Sequence, residues 1–447
     1  MKRLALITLV LIAAASTSFG QRAPRASACA FSVTPMSYEG PKDRSLTLTA
    51  MNLAAYNMIA PGNAFFGLPR LENGLRAARS SVEPVIPPIL LKSISWIESS
   101  TTQTTRAAPY GGIGPALISF DCGHGIMQVT SGMTTPLGTD GKATPEQLLV
   151  ATHYAYNVAR GAVILEDKWN AAPEYRPIAG TDTNSDPSIV ENWYFAVWSY
   201  NGFTGPGANR SNHPLDPVYG TSWPRTPYSC GASNAGYGHD RSKYPYQELV
   251  WGCASQPPLV DGAPVWQPIN LSLPDLNDPR WRNPLALTNW VSPYANMDMP
   301  TPKPSHTDAT PKPSASLLSS ILGAPSLSVS NTSVWMAISD DNKTATPQDI
   351  AIGNPGTGVL AWGATSSASW LKVSPPAGVA LGSDVYCSDP ACQRNGTLTL
   401  SIDPTALPSG ARRATVRVFS PQTGQTQTIT VTIASTVKVG VPGVTSN

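Results

Sequence analysis

The sequence predicts a two-domain chain, a mainly α-helical domain followed by an all-β sandwich, and three observations predict it. From Ser81 to about Phe203, apolar residues recur at three- and four-residue spacing, the period of a helix with one buried face. After about residue 326 the period drops to two, as in "TLTLSI" (Thr397 to Ile402) and "QTITVTIA" (Gln427 to Ala434). That alternation belongs to half-buried strands. Between the two, "PTPKPSHTDATPKPSAS" contains "PKPS" twice, and such proline-rich segments are extended, semi-rigid spacers. At 447 residues the chain also exceeds what one core usually organises.

The elements follow in chain order. Lys2 and Arg3 precede the apolar run "LALITLVLIAAA", closed by small residues at "SFG". Residues 1–20 therefore read as an export signal, with a second cleavage point after residue 28. A lipid anchor on Cys29 is disfavoured, because "STSFGQRAPR" separates it from the apolar run. The helical domain spans 31–300. It opens with "LTAMNLAAYNMIA", stopped by Pro61 and Gly62, and thins over 204–300 into a loop-rich extension. The linker covers 301–325. Over 326–436, "VWMAI", "VLAWGA", "ATVRVFS" and a hairpin turned by "PQTGQ" complete an immunoglobulin-like sandwich. No later segment has the ~20 apolar residues of a membrane span, so no stable membrane insertion is expected. The mature chain is expected to be secreted or to stay with the cell envelope.

Charged residues make up 13% of the chain and the formal net charge is +2. With no basic block there is no footprint for nucleic acid, and a neutral or weakly charged partner is expected. Six cysteines in an exported chain favour disulfides. Cys387 and Cys392 flank a short turn, and Cys230 and Cys253 bracket a Tyr- and Gly-rich loop. Those four are the disulfide candidates, which leaves Cys29 and Cys122 as the residual pair. No CxxC or HxxxH occurs and the histidines are scattered, so neither a metal site nor a cofactor is expected.

Glu98 stands in "VIPPILLKSISWIESS", where Lys92 is the other charge. Pro87 and Pro88 suit the first turn of a helix. Leu91, Ile94 and Glu98 share one face, widened by Leu90 and Ile97. The carboxylate thus emerges on the inward side, where burial raises its pKa and keeps a proton available to a general acid. The alternative is a helix-end glutamate that reaches solvent. Two further segments bear on the choice. "DCGHGIMQVTSGM" (Asp121 to Met133) sets glycines on both sides of His124. "ENWYFAVWSYNGF" places Trp193, Ala196, Val197 and Tyr200 on one helical face, then stops at Asn201 and Gly202.

"ES", then "GIMQ", then "YN" closing an aromatic helix, with "AYNVARGAVILEDKWN" between, resembles the soluble lytic transglycosylase family over residues 84–203. The resemblance implies a goose-type, lysozyme-like fold that cleaves peptidoglycan glycan strands. It implies Glu98 as the single acid/base, Met127 and Gln128 lining the cleft, Tyr200 and Asn201 contacting sugar and glutamate, and Ser119 facing the N-acetyl group. The product would carry a 1,6-anhydroMurNAc end. The chain departs from the family in the insert "RAAPYGGIGPALISF" and in Cys122 and His124. These departures put Ser119 in question and leave His124 either a sugar or peptide contact or a packing residue.

A second carboxylate at Asp121 would instead make a muramidase or chitinase, since most glycosidases pair two carboxyls ~5–9.5 Å apart. Glu166, Asp167 and Glu191 read as solvated helix faces. An inactive cell-wall or glycan-binding adhesion protein is the alternative outside enzymes. In the last quarter, "SASWLKVSPPAGVA" and "GTLTLSID" resemble the BACON family of bacterial immunoglobulin-like domains. That resemblance implies a stalk, or a module with a glycan or surface ligand.

Overall fold

The structure, a computed structural model, describes residues 29, 31, 35–133, 143–203, 212–219, 225–231, 243–281, 297–338, 345–387, 392–410 and 413–435. The export signal read over 1–20, with its alternative end at 28, lies outside these residues. Seven helices are described: α1 (Ser45–Ala55), α2 (Pro88–Ser99), α3 (Pro145–Thr152), α4 (Tyr154–Tyr175), α5 (Tyr194–Tyr200), α6 (Tyr246–Ser255) and α7 (Leu317–Leu322). Three small sheets lie among them. They pair β1 (Met36–Tyr38) with β4 (Ile113–Pro115), β2 (Leu71–Leu75) with β3 (Ala78–Val82), and β5 (Leu259–Val260) with β6 (Ala263–Pro264).

The C-terminal strands are β7 (Ser328–Val329), β8 (Ser333–Ile338), β9 (Gln348–Gly353), β10 (Val359–Ser366), β11 (Leu371–Ser374), β12 (Ala377–Leu381), β13 (Gly396–Ile402), β14 (Arg413–Phe419) and β15 (Thr426–Ser435). They form a five-stranded sheet, β12-β10-β14-β15-β8, and a four-stranded sheet, β11-β13-β9-β7. The two sheets share a core built on Trp362, Leu398, Leu400, Val416, Val418, Ile429 and Val431. Alternation sets this up: in β8 Val334, Met336 and Ile338 are buried while Ser333, Trp335 and Ala337 are exposed.

The expected plan of a mainly α domain followed by an immunoglobulin-like sandwich is overturned. Helix and strand each account for about 25% of the chain, and the strands form five sheets, a half-barrel among them. The physical reason is visible in β10, which is buried continuously from Val359 to Ala364. Leu360, Trp362 and Ala364 enter the core between the sheets. Ala361 joins the core of the helical half, and Val359 packs with Ile113, Leu381 and Val385 beside Met36 and Tyr38. A Cβ on Gly363 would stand 2.9 Å from Pro145 and 2.6 Å from Phe419, so glycine is what lets α3 approach the sheet. Period-two alternation locates strands but does not say what covers their outer face.

Helix α2 runs through the helical core, with every residue from Pro88 to Ile97 buried. Pro87 caps it without a side-chain bond, and the missing acceptor comes from far along the chain. Asp308 Oδ2 accepts the Ile89 N–H at 2.6 Å. The same proline-rich segment accepts Tyr56 OH on the Thr310 carbonyl at 2.7 Å, and Lys92 Nζ donates to Thr310 Oγ1 at 3.3 Å. Upstream, His306 Nδ1 and N–H lie 2.6 and 2.8 Å from the Glu191 carboxylate. Glu191 is buried, not solvated as read from the sequence. Replacing Asp308 by alanine should lower stability by about 1 kcal/mol, the size of a lost helix cap, measured as a shift in denaturant midpoint.

Glu166 on α4, also read as solvated, is buried as well, whereas its neighbour Asp167 is exposed. Burial, then the charges of Asp167 and Glu72, push Glu166 up to about 8, against a bond from Asn170 that pulls the other way. An unfolded glutamate titrates near ~4.3, so the folded chain holds this proton more tightly. The resulting stability is complete below ~4.3 and is lost as pH rises toward 8. Glu166→Gln should match wild type in melting temperature near pH ~4 and exceed it near pH ~9. A parallel pH course for the two proteins would count against the buried neutral acid.

The six cysteines pair as Cys29–Cys122, Cys230–Cys253 and Cys387–Cys392. Among the described residues no helix is long and apolar enough to cross a membrane.

Candidate functional site

The end of α2 carries Glu98, half-buried, into a place where three other segments meet. Helix α6 supplies Tyr246, whose buried hydroxyl donates to Glu98 Oε1 at 2.5 Å. Helix α5 supplies Tyr200, whose hydroxyl donates to the Met127 carbonyl at 2.8 Å. Burial, and next the charge of Glu98, hold the Tyr200 phenol far above its ordinary range, so it remains a neutral donor. Asn212 ties the two tyrosine-bearing helices together. Its Nδ2 donates to Asn201 Oδ1 at 3.3 Å and to the Gly202 carbonyl at 3.1 Å, and its Oδ1 accepts the Tyr246 N–H at 3.2 Å.

The turn Gly125–Gln128 is held by two buried amides. Gln103 Oε1 accepts the Ile126 N–H at 3.1 Å, and Asn157 Oδ1 accepts the Met127 N–H at 2.8 Å. Gly125 has φ +62°, and a Cβ there would fall 2.3 Å from Gln103 and 2.5 Å from Asn157. Only glycine meets both conditions. Gly161 on α4 plays the complementary part, since a Cβ there would lie 2.7 Å from Met127. Met127 is accordingly fully buried, and it reaches the site through its carbonyl rather than its side chain. Gln128 is half-exposed with φ +46°, its Nε2 donating to the Gly125 carbonyl at 2.8 Å. Ser100 and Thr101, just past Glu98, are left-handed as well. Such costly backbone tends to gather at functional sites.

The loop before the turn forms a separate local system. Ser119 Oγ donates to Asp121 Oδ1 at 2.5 Å and accepts the Gly123 N–H at 2.8 Å. Asp121 is exposed, and no hydrogen bond among the described residues links it to Glu98. His124 is fully buried with Nδ1 2.6 Å from the Cys122 carbonyl, and burial pushes its pKa down. It is a packing residue, edge-on to Phe31 at 5.5 Å. Among the described residues no group of three or more His, Cys, Asp or Glu could hold a metal ion.

A cavity of about 280 Å³ opens beside the turn, walled by Gln128, Thr130, Ser131, Lys168, Tyr200 and Asn201 among others. A larger one, about 360 Å³, lies at the other end of α2 near Pro87 and Asp308. The smaller cavity is the candidate site because Tyr200 joins it to Glu98. Tyr246, Asn212 and Lys168 escaped the sequence reading. Tyr246, Leu249, Val250 and Cys253 do show helical spacing, but the helix is short and stands in a stretch dominated by Pro, Gly and Tyr. No protein-family model matches the chain and no curated protein matches it.

Tyr246→Phe keeps the ring packed against its neighbours and removes one donor to Glu98. A hydrogen bond to a charged group is worth about 1.5–3 kcal/mol, so the variant should lose about that much stability, measured as a lower denaturant midpoint. An unchanged midpoint would show that the hydroxyl does not hold the Glu98 carboxylate.

Proposed function

We propose that this chain is an exported peptidoglycan lytic transglycosylase that cleaves the MurNAc-β-1,4-GlcNAc bond with Glu98 as its single acid/base. The observation that carries the proposal is the bond from the Tyr246 hydroxyl to Glu98 at 2.5 Å beside the turn carrying Met127 and Gln128, which Ser99 and Tyr200 hold through the Ile126 and Met127 carbonyls at 2.8 Å each. A lone carboxylate at the end of an apolar helix, supported by neutral phenols, suits proton transfer better than charge storage. Three disulfides suit an oxidising compartment outside the cytoplasm.

In this reading protonated Glu98 donates to the oxygen joining MurNAc to GlcNAc, and the C1–O bond breaks as GlcNAc leaves with that proton. The substrate's N-acetyl oxygen supports the positive charge at C1. Glu98, now a carboxylate, takes the proton from the MurNAc 6-hydroxyl, whose oxygen bonds to C1 and closes the anhydro ring. No water is consumed, and the acid is returned to its starting form. Tyr246 keeps Oε1 fixed through both transfers. Asn201 and Gln128 offer amides to the sugar from the cavity wall. Exposed Asp121, bonded to Ser119, is left outside the reaction. The β half is proposed to contact glycan or another surface ligand from a fixed position, since β10 seats it on the helical half.

Glu98→Gln should reduce cleavage of purified sacculi by at least the ~10²–10⁴-fold typical of lost acid–base catalysis, and Asp121→Asn should have a small effect. Mass spectrometry of released muropeptides should find ends lighter by one water than hydrolysed ends. Reducing ends alone, with a severe Asp121→Asn defect, would indicate a two-carboxylate muramidase or chitinase. Equal clearing by wild type and Glu98→Gln would remove Glu98 from the chemistry, and clearing by neither would leave a binding protein.

A further inference from the structure

We infer that the cavity beside Glu98 seats a carboxylate carried by the glycan, with Lys168 as its cation. The inference rests on the transglycosylase reading and specifies what its substrate must carry. Lys168 and Ile164 stand one turn apart on α4 and face the cavity together. Lys168 is the one charged residue in the described lining, and it is half-buried. Around it stand the hydroxyls of Thr130 and Ser131 and the amides of Gln128 and Asn201. The adjacent carboxylate, Asp167, lines a different cavity of about 320 Å³ together with Arg160. Among the described lining residues no acid answers the ammonium, and exposed Asp167, whose carboxylate feels the Lys168 charge, lies outside this cavity.

A neutral polymer such as chitin would cover that ammonium without matching its charge, which is costly. A carboxylate would match it with a charge-assisted bond, flanked by neutral donors that can serve its second oxygen. Tyr200 fixes where on the substrate the carboxylate must be. It lines the cavity and donates to the Met127 carbonyl, while Ser99, next to Glu98, donates to the Ile126 carbonyl of the same turn, each at 2.8 Å. The bound carboxylate thus belongs to a sugar unit at or next to the bond that breaks. Peptidoglycan offers two sources of this one chemistry, the lactyl carboxylate of a stem-free MurNAc and the carboxylates of the peptide stem. Lys168 is on this account a specificity-determining residue that separates peptidoglycan from uncharged glycans.

The test is titration calorimetry in the Glu98→Gln background, which leaves substrate intact. The probes are soluble peptidoglycan fragments that bear stems, fragments freed of stems, and fragments with every carboxylate converted to its methylamide. Adding Lys168→Gln should weaken binding of at least one carboxylate form by about tenfold or more, as expected for a lost bond to a charged group. It should leave binding of the methylamide form unchanged. Loss confined to stem-bearing fragments assigns the stem, and loss on stem-free fragments assigns the lactyl group. Lys168→Arg should restore most of the affinity, and Lys372→Gln, remote on β11, should change nothing. Equal affinities with and without Lys168, equal loss on the methylamide form, or no binding by either protein would overturn the inference. A failed transglycosylase reading would appear separately, as the absence of anhydro ends in wild-type digests.

Discussion

Glu98 can stand half-buried at the end of an apolar helix only because α2 is anchored at both ends by distant parts of the chain. At its start, Asp308 accepts the Ile89 N–H. At its finish, Arg44 donates to Thr101 Oγ1 at 2.5 Å and to the Ser100 carbonyl at 3.3 Å. Its guanidinium also lies 5.2 Å from the Trp96 ring. Those contacts hold two successive left-handed residues, a conformation that costs about 1–2 kcal/mol each for residues with a Cβ. A frayed helix end would let Glu98 turn to water and part it from the Tyr246 hydroxyl.

The second dependence is on buried amides rather than on charge. Gln103 and Asn157 each use both ends of their side chains. Gln103 accepts from Ile126 and donates to the Val150 and Ala151 carbonyls, and Asn157 accepts from Met127 and donates to the His124 and Val150 carbonyls. Buried Glu39 in turn accepts three bonds from Gln103 and Thr104. A fully satisfied network of this kind specifies one conformation. It fixes the Met127 carbonyl, which fixes Tyr200 in the cavity wall.

Much of the candidate site's geometry was legible because its residues sit on strongly periodic or strongly marked segments. The apolar stripe of "PILLKSISWIES" placed Glu98, the glycine-flanked "GIMQ" marked the turn, and "SYNGF" marked the end of α5. What escaped depends on contacts over long sequence separation. Tyr246 lies 148 residues from the carboxylate it holds, and Asp308 lies 219 residues from the amide it caps. The proline-rich segment reads as a spacer because its few polar groups carry no sign of their partners. Glu166 and Glu191 read as solvated for the same reason. The strands were legible from period two, but their assembly was not, although the unbroken apolar run in β10 is what burial on both faces demands.

The long-range cap and the late-arriving phenol also set an order of events. A chain that emerges N-terminus first exposes Glu98 well before Tyr246, and Tyr246 before Asp308. A partly emerged chain has the acid without its donor, and then the donor without the tie that steadies α2. The site is thus complete only once the proline-rich segment has arrived. In a site gathered from segments this far apart, the order of synthesis becomes the order of assembly.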